Sequence, residues 1–208
     1  MAYRDLREYI KALEERDKLH RITAEVEKDW EIAAVCRRVF QKLAPERRPV
    51  LLFERIRGFN IPLLVGSLGA SPEVYAIALQ DRVENIHERW EQAQRHPIKP
   101  VRVGTGPCKE NILRGNDADL TRFPVPIWTV GEDPGPYLTA PCVVSREPDT
   151  GAYNVGTYRL QVKGPKKMGI WAADGQHVSR HRLKTEARNQ STPVAVVSPE
   201  LLTVMLSV

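Results

Sequence analysis

The segment from Asn154 to Arg188 constrains the fold more than any other stretch, because it combines strand-forming runs with a concentration of polar and basic groups. A run rich in β-branched and aromatic residues ends at Gly164-Pro165, and a second apolar run continues to Ala173 before Asp174-Gly175. Runs of this kind, bounded by glycine and proline, are typical of strands joined by a tight turn. We therefore predict a β-hairpin whose ends carry functional groups.

Positive charge is concentrated in this segment, although the whole chain carries a net charge of only +5. Two acids, Asp174 and Glu186, accompany eight basic residues: Arg159, Lys163, Lys166, Lys167, Arg180, Arg182, Lys184 and Arg188. Such a field favours a phosphate or a carboxylate. Composition alone leaves open whether these residues form an anion site or a solvated basic face.

The chain before Pro97 shows alternating helix and strand patterns. Helices are predicted at 3–16, 30–43, 71–79 and 83–94, and strands at 19–24, 49–53 and 61–65. The predicted core of this part contains Leu6, Leu13, Val35, Phe40, Leu51 and Leu63. Prolines are scattered from 97 to 127, which indicates a boundary between a domain at 1–97 and one at 98–208.

The remaining chain is predicted to be mostly β. Strands are expected at 137–145 and 193–197, with a polar turn at 146–151 between the first of them and the hairpin. Ser198-Pro199-Glu200 is typical of a helix start, so a short helix is predicted over 201–208. The three cysteines are far apart, which favours reduced thiols over disulfides or a metal knuckle.

Two classes of partner are excluded by the sequence. No apolar run approaches the roughly 18 residues of a membrane helix, and the first residues lack the pattern of a signal peptide, so a cytoplasmic protein is expected. The basic run lacks the interleaved aromatic residues that stack on bases, which argues against a nucleic-acid binder.

Several residues of the segment from Asn154 to Arg188 could bind a metal or an anion. Asn154 and His177 offer an amide oxygen and an imidazole nitrogen, which suit a cation such as Mn²⁺, and Arg159 suits a carboxylate. His177 and His181 would share one face of a helix. From the residues alone, Asn154 could equally be a turn or edge residue, and the two histidines a surface pair.

Several motifs in register carry a resemblance to a known family. They are Asn154-Val-Gly-Thr-Tyr-Arg159, Gln176-His177, Gly106-Pro-Cys-Lys-Glu-Asn111, Phe123-Pro-Val-Pro126, Gly135-Pro-Tyr-Leu-Thr139 and Pro193-Val-Ala-Val-Val197. Together they resemble the UbiD-type carboxy-lyases, which are decarboxylases dependent on prenylated FMN. The resemblance spans nearly the whole chain.

The resemblance implies an α+β protein, with an N-terminal α/β domain followed by an incomplete split β-barrel flavin-binding domain. It implies prenylated FMN, Mn²⁺ and K⁺ as cofactors, with Asn154 and His177 as the manganese ligands. The flavin would be lined by Thr157, Tyr158, Arg159, Trp171, Ala172, Ala173, Gln176 and His177, together with Asn154. Arg159 would hold the carboxylate of an aromatic or α,β-unsaturated acid while the flavin serves as the electron sink.

The sequence also departs from the family. A third metal ligand, a glutamate, and the acidic residues that relay the proton would come after Val208. We therefore expect this polypeptide to be inactive alone and to work as a homo-oligomer or with a chain that supplies the missing part. A non-catalytic flavin-binding or assembly subunit is the alternative.

The spacing of Asn154 and Arg159 raises a geometric question, because residues five apart on a regular strand point to opposite faces. Either Asn154 lies at the entry of the strand, or a bulge at Gly156 returns Arg159 to the same face. We expect the bulge, and we expect Gly156→Val to weaken flavin binding without unfolding the protein.

Overall fold

The computed structural model describes residues 3–99, 101–198 and 204–207. Its first part contains four helices and a three-stranded sheet. In chain order these are α1 (Leu6–Glu14), β1 (Leu19–Ile22), α2 (Glu31–Lys42), β2 (Val50–Phe53), β3 (Leu63–Val65), α3 (Pro72–Leu79) and α4 (Ile86–Arg95). Strand β2 is central, parallel to β1 and antiparallel to β3. All helices and strands predicted before Pro97 are confirmed.

Local sequence explains where two of these helices begin. The carboxylate of Asp5 accepts a hydrogen bond from the Glu8 N–H at the start of α1. Ser71 caps α3 in the same way, with its hydroxyl accepting from the Val74 N–H, and Pro72 occupies the first helical position. Each cap satisfies a backbone donor that has no partner within its helix.

The second part contains seven strands and one helix. These are β4 (Tyr137–Leu138), β5 (Cys142–Arg146), β6 (Tyr153–Thr157), β7 (Leu160–Gly164), β8 (Lys167–Ile170), α5 (His177–Glu186), β9 (Val194–Ser198) and β10 (Val204–Ser207). They form two antiparallel sheets, one ordered β10-β9-β5-β6 and the other β4-β7-β8. These two sheets do not close into a barrel within the described residues, as expected of an incomplete one, and the α+β class is confirmed.

Three sequence predictions need correction in this part. The strand expected at 137–145 is two strands, β4 and β5, which belong to different sheets. The segment expected to form a two-stranded hairpin contains three strands, β6, β7 and β8, because the chain leaves one sheet after Thr157 and enters the other at Leu160. The helix predicted over 201–208 is wrong at 204–207, where β10 pairs with β9, and its other residues lie outside the described ones. A helix of eight residues is marginal, and strand pairing satisfies the backbone instead.

Two clusters of buried side chains form the core. One lies within the first part and includes Leu13, Val50 and Leu64. The other joins both parts of the chain, since Leu51 and Phe53 of β2 pack in the same cluster as residues of β5, β7, α5 and β9. Of the predicted core residues, Leu13, Leu51 and Leu63 are fully buried, and Leu6, Val35 and Phe40 pack partly buried against the clusters.

The proline-containing segment between the two parts carries no strand in its described residues, so no sheet continues from one part into the other there. A domain boundary near residue 97 stays a prediction. In the described residues, no helix has both the length and the apolar character needed to cross a membrane.

Candidate active site

The predicted site residues lie on three neighbouring pieces of chain. Asn154 and Thr157 belong to β6, Tyr158 and Arg159 form the connection to β7, Trp171, Ala172 and Ala173 follow β8, and Gln176 and His177 begin α5. Helix α5 packs against β5 and β6. The site is therefore assembled where one helix crosses the edge of a sheet.

Strand register decides which way Asn154 faces. Ser145 of β5 lies directly opposite Asn154 of β6, and directly opposite residues on antiparallel strands project to the same face. We call this the inner face; it is formed by Val143, Ser145, Asn154, Gly156, Val194 and Val196. Ser145 and Val143 are almost completely buried there, so Asn154 shares the face that α5 covers.

Helix α5 brings His177 and His181 onto one face, as the spacing predicted. Their ring centroids are 6.4 Å apart, with the rings tilted by 41°. His181 is buried, and its Nδ1 lies 2.9 Å from the hydroxyl of Ser145, whereas His177 is exposed at the first turn. The two histidines are therefore not a surface pair, because only one of them is free to reach a ligand.

The loop before α5 is tied to the helix by hydrogen bonds. The side-chain oxygen of Gln176 accepts from the Ala173 N–H at 2.7 Å, and the Ser179 hydroxyl donates to the Ala172 carbonyl at 3.1 Å. Four of the predicted cofactor residues, Ala172, Ala173, Gln176 and His177, are brought together in this way. Trp171 precedes them with 68% of its surface exposed.

Arg159 lies beyond the end of β6, with its guanidinium carbon 5.4 Å from the centre of the Tyr137 ring. Stacking on an aromatic ring orients a guanidinium while leaving its N–H groups free. Among the residues that the structure describes, no carboxylate forms an ion pair with Arg159. It is exposed and thus available to an anion from solution.

The bulge predicted at Gly156 is wrong, because β5 and β6 keep a regular register through that residue. The alternation of side chains along a regular strand does not apply between Asn154 and Arg159, because the strand ends at Thr157. The chain then turns into the second sheet at Tyr158 and Arg159. Gly156 has a different role. An added Cβ there would lie 2.6 Å from the ring of buried Tyr158, so the ring packs directly on the glycine.

The basic cluster is partly neutralised by acids, two of which, Glu147 and Asp149, precede the segment in sequence. Lys184 contacts the carboxylates of Glu147 and Asp149, Arg188 contacts Asp149, and Arg182 pairs with Glu186. Glu147 and Asp149 belong to the turn between β5 and β6, so these ion pairs fasten that turn to α5. Five of the eight basic residues form no ion pair within the described part of the chain: Arg159, Lys163, Lys166, Lys167 and Arg180.

The ion pairs of the turn should make stability depend on pH. Hydrogen bonds from Lys184 and from the Thr150 N–H lower the pKa of Glu147 from 4.5 to about 2, and Lys184 also lowers the pKa of Asp149. A lowered pKa in the folded protein stabilises it above the unfolded value, and this contribution is lost as pH falls towards the folded value. We expect Lys184→Met to lower the melting temperature at pH 6, and the difference from the parent to shrink as the pH falls to 2.

Thermal unfolding followed by circular dichroism between pH 2 and pH 6 measures this difference. Lys167→Met is the matched control, because Lys167 forms no ion pair among the described residues and should show little difference at any pH. A Lys184→Met difference that stays constant across this range would contradict the assignment.

A largely apolar cavity of about 860 Å³ lies beside the site, and neither His177 nor His181 lines it. Val143, Val194 and Val196 of the inner face line it, with Met168 and Ile170 of β8 and Val178 of α5. Of the predicted cofactor residues, only Ala172 reaches its wall.

Sequence reasoning missed two groups of this site. Strand periodicity places Ser145 in a strand and says nothing more of it, since its signal is weak: a lone serine at a buried position of an alternating strand. Glu147 and Asp149 are predicted only as part of a polar turn, although their charge, opposite to that of the basic segment, is visible in the sequence.

Two family models match the chain. The 3-octaprenyl-4-hydroxybenzoate carboxy-lyase N-terminal domain matches residues 10–93, and the Rift-related domain of the same carboxy-lyase matches residues 99–206. A phenolic acid decarboxylase of Streptomyces sp. (strain D7) is 32% identical over 94% of this chain and 43% of the relative. The chain therefore spans less than half of that protein.

Solved structures agree with this match. An evolved dimeric form of the UbiD-class enzyme HmfF from Pelotomaculum thermopropionicum, in complex with prFMN, gives a TM-score of 0.83 at 34% identity, covering 93% of this chain and 44% of that one. The closed form of Sedimentibacter hydroxybenzoicus vanillic acid decarboxylase (ShVdcCD) gives a TM-score of 0.82 at 27% identity, covering 96% of this chain and 44% of that one. With both of its parts matched in order, the chain belongs to the UbiD family of carboxy-lyases.

Proposed function

We propose that this chain is part of a carboxy-lyase that uses prenylated FMN and Mn²⁺ to remove or add CO₂ on an aromatic or α,β-unsaturated acid. Its relatives are named phenolic acid decarboxylases, and a neighbouring structure holds prFMN. The observation that carries the proposal is the placement of Asn154 and His177 on β6 and α5, two elements that pack together.

The donor chemistry of these two residues fits Mn²⁺, since an amide oxygen and an imidazole nitrogen suit a cation of intermediate hardness. Two side chains do not complete a metal site. No group of three or more His, Cys, Asp or Glu side chains in the described residues is placed to hold a metal. The remaining ligands would come from the flavin phosphate and from polypeptide beyond these residues. A potassium ion held by backbone carbonyls belongs to the same proposal.

The flavin would lie along Thr157, Tyr158, Trp171, Ala172, Ala173 and Gln176, with its phosphate directed to the metal. Helix α5 begins beside this loop and its N-cap residue makes no side-chain cap, so its first N–H groups and its dipole favour a phosphate. Cations without an ion pair in the described part of the chain, such as Arg180, add to that field. When bound, the cofactor supplies the electron sink for decarboxylation.

Arg159 would bind the carboxylate that leaves as CO₂. Its planar fork can make two parallel hydrogen bonds to a carboxylate, and stacking on Tyr137 holds the guanidinium in place. The absence of an ion-pair partner among the described residues leaves this fork free for substrate. Arg159 is thus the catalytic residue that we assign in this chain.

The cavity supports the partner that we propose. Strand residues such as Val143 and Val196 line part of its wall, and residues of the segment between the two parts, such as Leu120, line another part. Covering the apolar part of this surface would be favourable. We propose that polypeptide corresponding to the rest of the family's length fills it and brings the third metal ligand and the general acid. The alternative is a non-catalytic flavin-binding or assembly subunit. It differs in that the completed complex need not catalyse decarboxylation.

Flavin titration tests the metal site directly. We expect Mn²⁺ to strengthen FMN binding by the purified chain, because the ion would join the phosphate to Asn154 and His177. Replacing a residue that hydrogen-bonds a metal ligand typically lowers metal affinity about 10–100-fold. Loss of the ligand itself in His177→Ala should therefore lower Mn²⁺ affinity more than about 100-fold. Quenching of flavin fluorescence, with and without Mn²⁺, provides the measurement.

His87→Ala is the matched control, because His87 is an exposed histidine on α4 in the first part of the chain. It should bind FMN and Mn²⁺ as the parent does. If Mn²⁺ leaves FMN binding by the parent unchanged, the proposed metal–phosphate site is wrong.

A further inference from the structure

A serine–histidine pair is buried between β5 and α5. Ser145 is 1% exposed and His181 4% exposed, and their Oγ and Nδ1 atoms share a hydrogen bond of 2.9 Å. A buried polar pair of this kind costs free energy unless the hydrogen bond is made, so it fixes how the two elements meet. A nucleophilic role is excluded by burial, since no substrate carbonyl can reach a serine that is 1% exposed.

Each member of the pair adjoins one proposed metal ligand. Ser145 is directly opposite Asn154 in the β5–β6 register, with both side chains on the inner face. His181 follows His177 by one helical turn, and their rings lie 6.4 Å apart. The hydrogen bond therefore joins the neighbour of one ligand to the neighbour of the other.

The rest of α5 is held independently of this bond. The Thr185 hydroxyl donates to the His181 carbonyl at 3.1 Å and contacts the hydroxyl of Thr192, and the Ser179 hydroxyl holds the Ala172 carbonyl. Loss of the Ser145–His181 bond should thus leave the helix folded. It would remove the buried hydrogen bond between α5 and β5 beside the two proposed ligands.

We propose that Ser145 and His181 are positioning residues that set the separation between Asn154 and His177 and so determine the affinity of the metal site. This inference rests on the proposed function. The physical reason is that metal ligands must lie within about 0.2 Å of their ideal distances, so a small shift of a helix against a strand weakens the site. The two ligands come from different elements, and the pair is a direct side-chain bond between β5 and α5.

The test measures Mn²⁺ affinity per folded molecule in the presence of FMN. Free Mn²⁺ is followed by electron paramagnetic resonance, and the folded fraction by circular dichroism. We expect Ser145→Ala and His181→Leu each to lower Mn²⁺ affinity about 10-fold, as outer-shell changes do. His181→Asn, whose amide can replace the Nδ1 hydrogen bond, should restore affinity to within about 3-fold of the parent by the same reasoning. Where Ser145→Ala does not fold, Ser145→Cys keeps the volume with a much weaker hydrogen bond.

Ser71→Ala is the matched control, because it removes a buried hydroxyl that caps α3 and contacts no residue of the site. It should lower the melting temperature while leaving Mn²⁺ affinity unchanged. If the Ser145 and His181 variants behave in the same way, the pair is only structural and the inference is overturned. Failure of His181→Asn to restore affinity also overturns it. If the parent itself binds no Mn²⁺, the proposed function is wrong. That result is distinct from a parent that binds Mn²⁺ and variants that bind it equally well, which would overturn only this inference.

Discussion

We expect the purified chain, loaded with prFMN and Mn²⁺, to decarboxylate aromatic acids about 10²–10⁴-fold more slowly than the same chain completed by the rest of the family's sequence. The reason is chemical: the loss of one general acid or base costs about this much. In the part of the chain that the structure describes, Arg159 has no carboxylate paired with it, and no cluster of three acidic, histidine or cysteine side chains is placed to bind a metal.

The measurement follows the loss of substrate absorbance and the release of CO₂, after flavin spectra have shown that the cofactor is bound. The chain with Arg159→Lys serves as the background, because lysine keeps the charge but not the planar fork. Turnover by the chain alone of about 1 per second or more would show that it already contains the complete catalytic set.

Replacing Gly156 with valine should lower the free energy of unfolding by about 3 kcal/mol, the upper part of the usual cost of overpacking. The structure thus indicates a cost in stability at this position, although such a cost alone leaves most proteins folded. A Cβ at this position would lie 2.6 Å from one ring carbon of Tyr158 and 2.7 Å from its hydroxyl, and the ring is buried, so it cannot move away cheaply. Urea unfolding followed by tryptophan fluorescence measures the change.

Gly69→Val is the matched control, because an added Cβ at Gly69 meets no atom within 4 Å. A second variant identifies the cause: Tyr158→Leu in the Gly156→Val background should recover part of the loss, since the smaller side chain leaves room. Equal destabilisation by the two glycine variants, or no recovery in the double variant, would contradict the assignment of the cost to the Tyr158 ring.

Short-range patterns predicted much of this structure. Helices α1 to α4 and strands β1 to β3 follow from apolar periodicity and from caps such as Ser71, which are local properties. The hairpin of β7 and β8 follows from Gly164 and Pro165 between two apolar runs. The sequence was a poorer guide to which strands pair with each other and form one sheet. Whether Tyr137 and Ser145 belong to one strand depends on which distant strands pair with them.

The candidate site shows the same division. Asn154, Arg159, Gln176 and His177 could be selected because their chemistry and order are visible in the sequence. The Ser145–His181 bond joins residues 36 positions apart, and only strand register and helix packing bring them together. Likewise, the sequence marks Gly156 as unusual within a strand, but only the folded chain shows that the Tyr158 ring requires a glycine there.

The cluster that joins the two parts of the chain has a consequence for how the protein holds together. Leu51 and Phe53 of β2 share one buried cluster with Val143 of β5 and Val196 of β9, so neither part can separate without exposing apolar surface to water. The covalent connection through residues 97–107 is then not what keeps the parts in place. We therefore expect a chain divided in that connection to remain associated as two fragments, because separating them would break up this shared cluster.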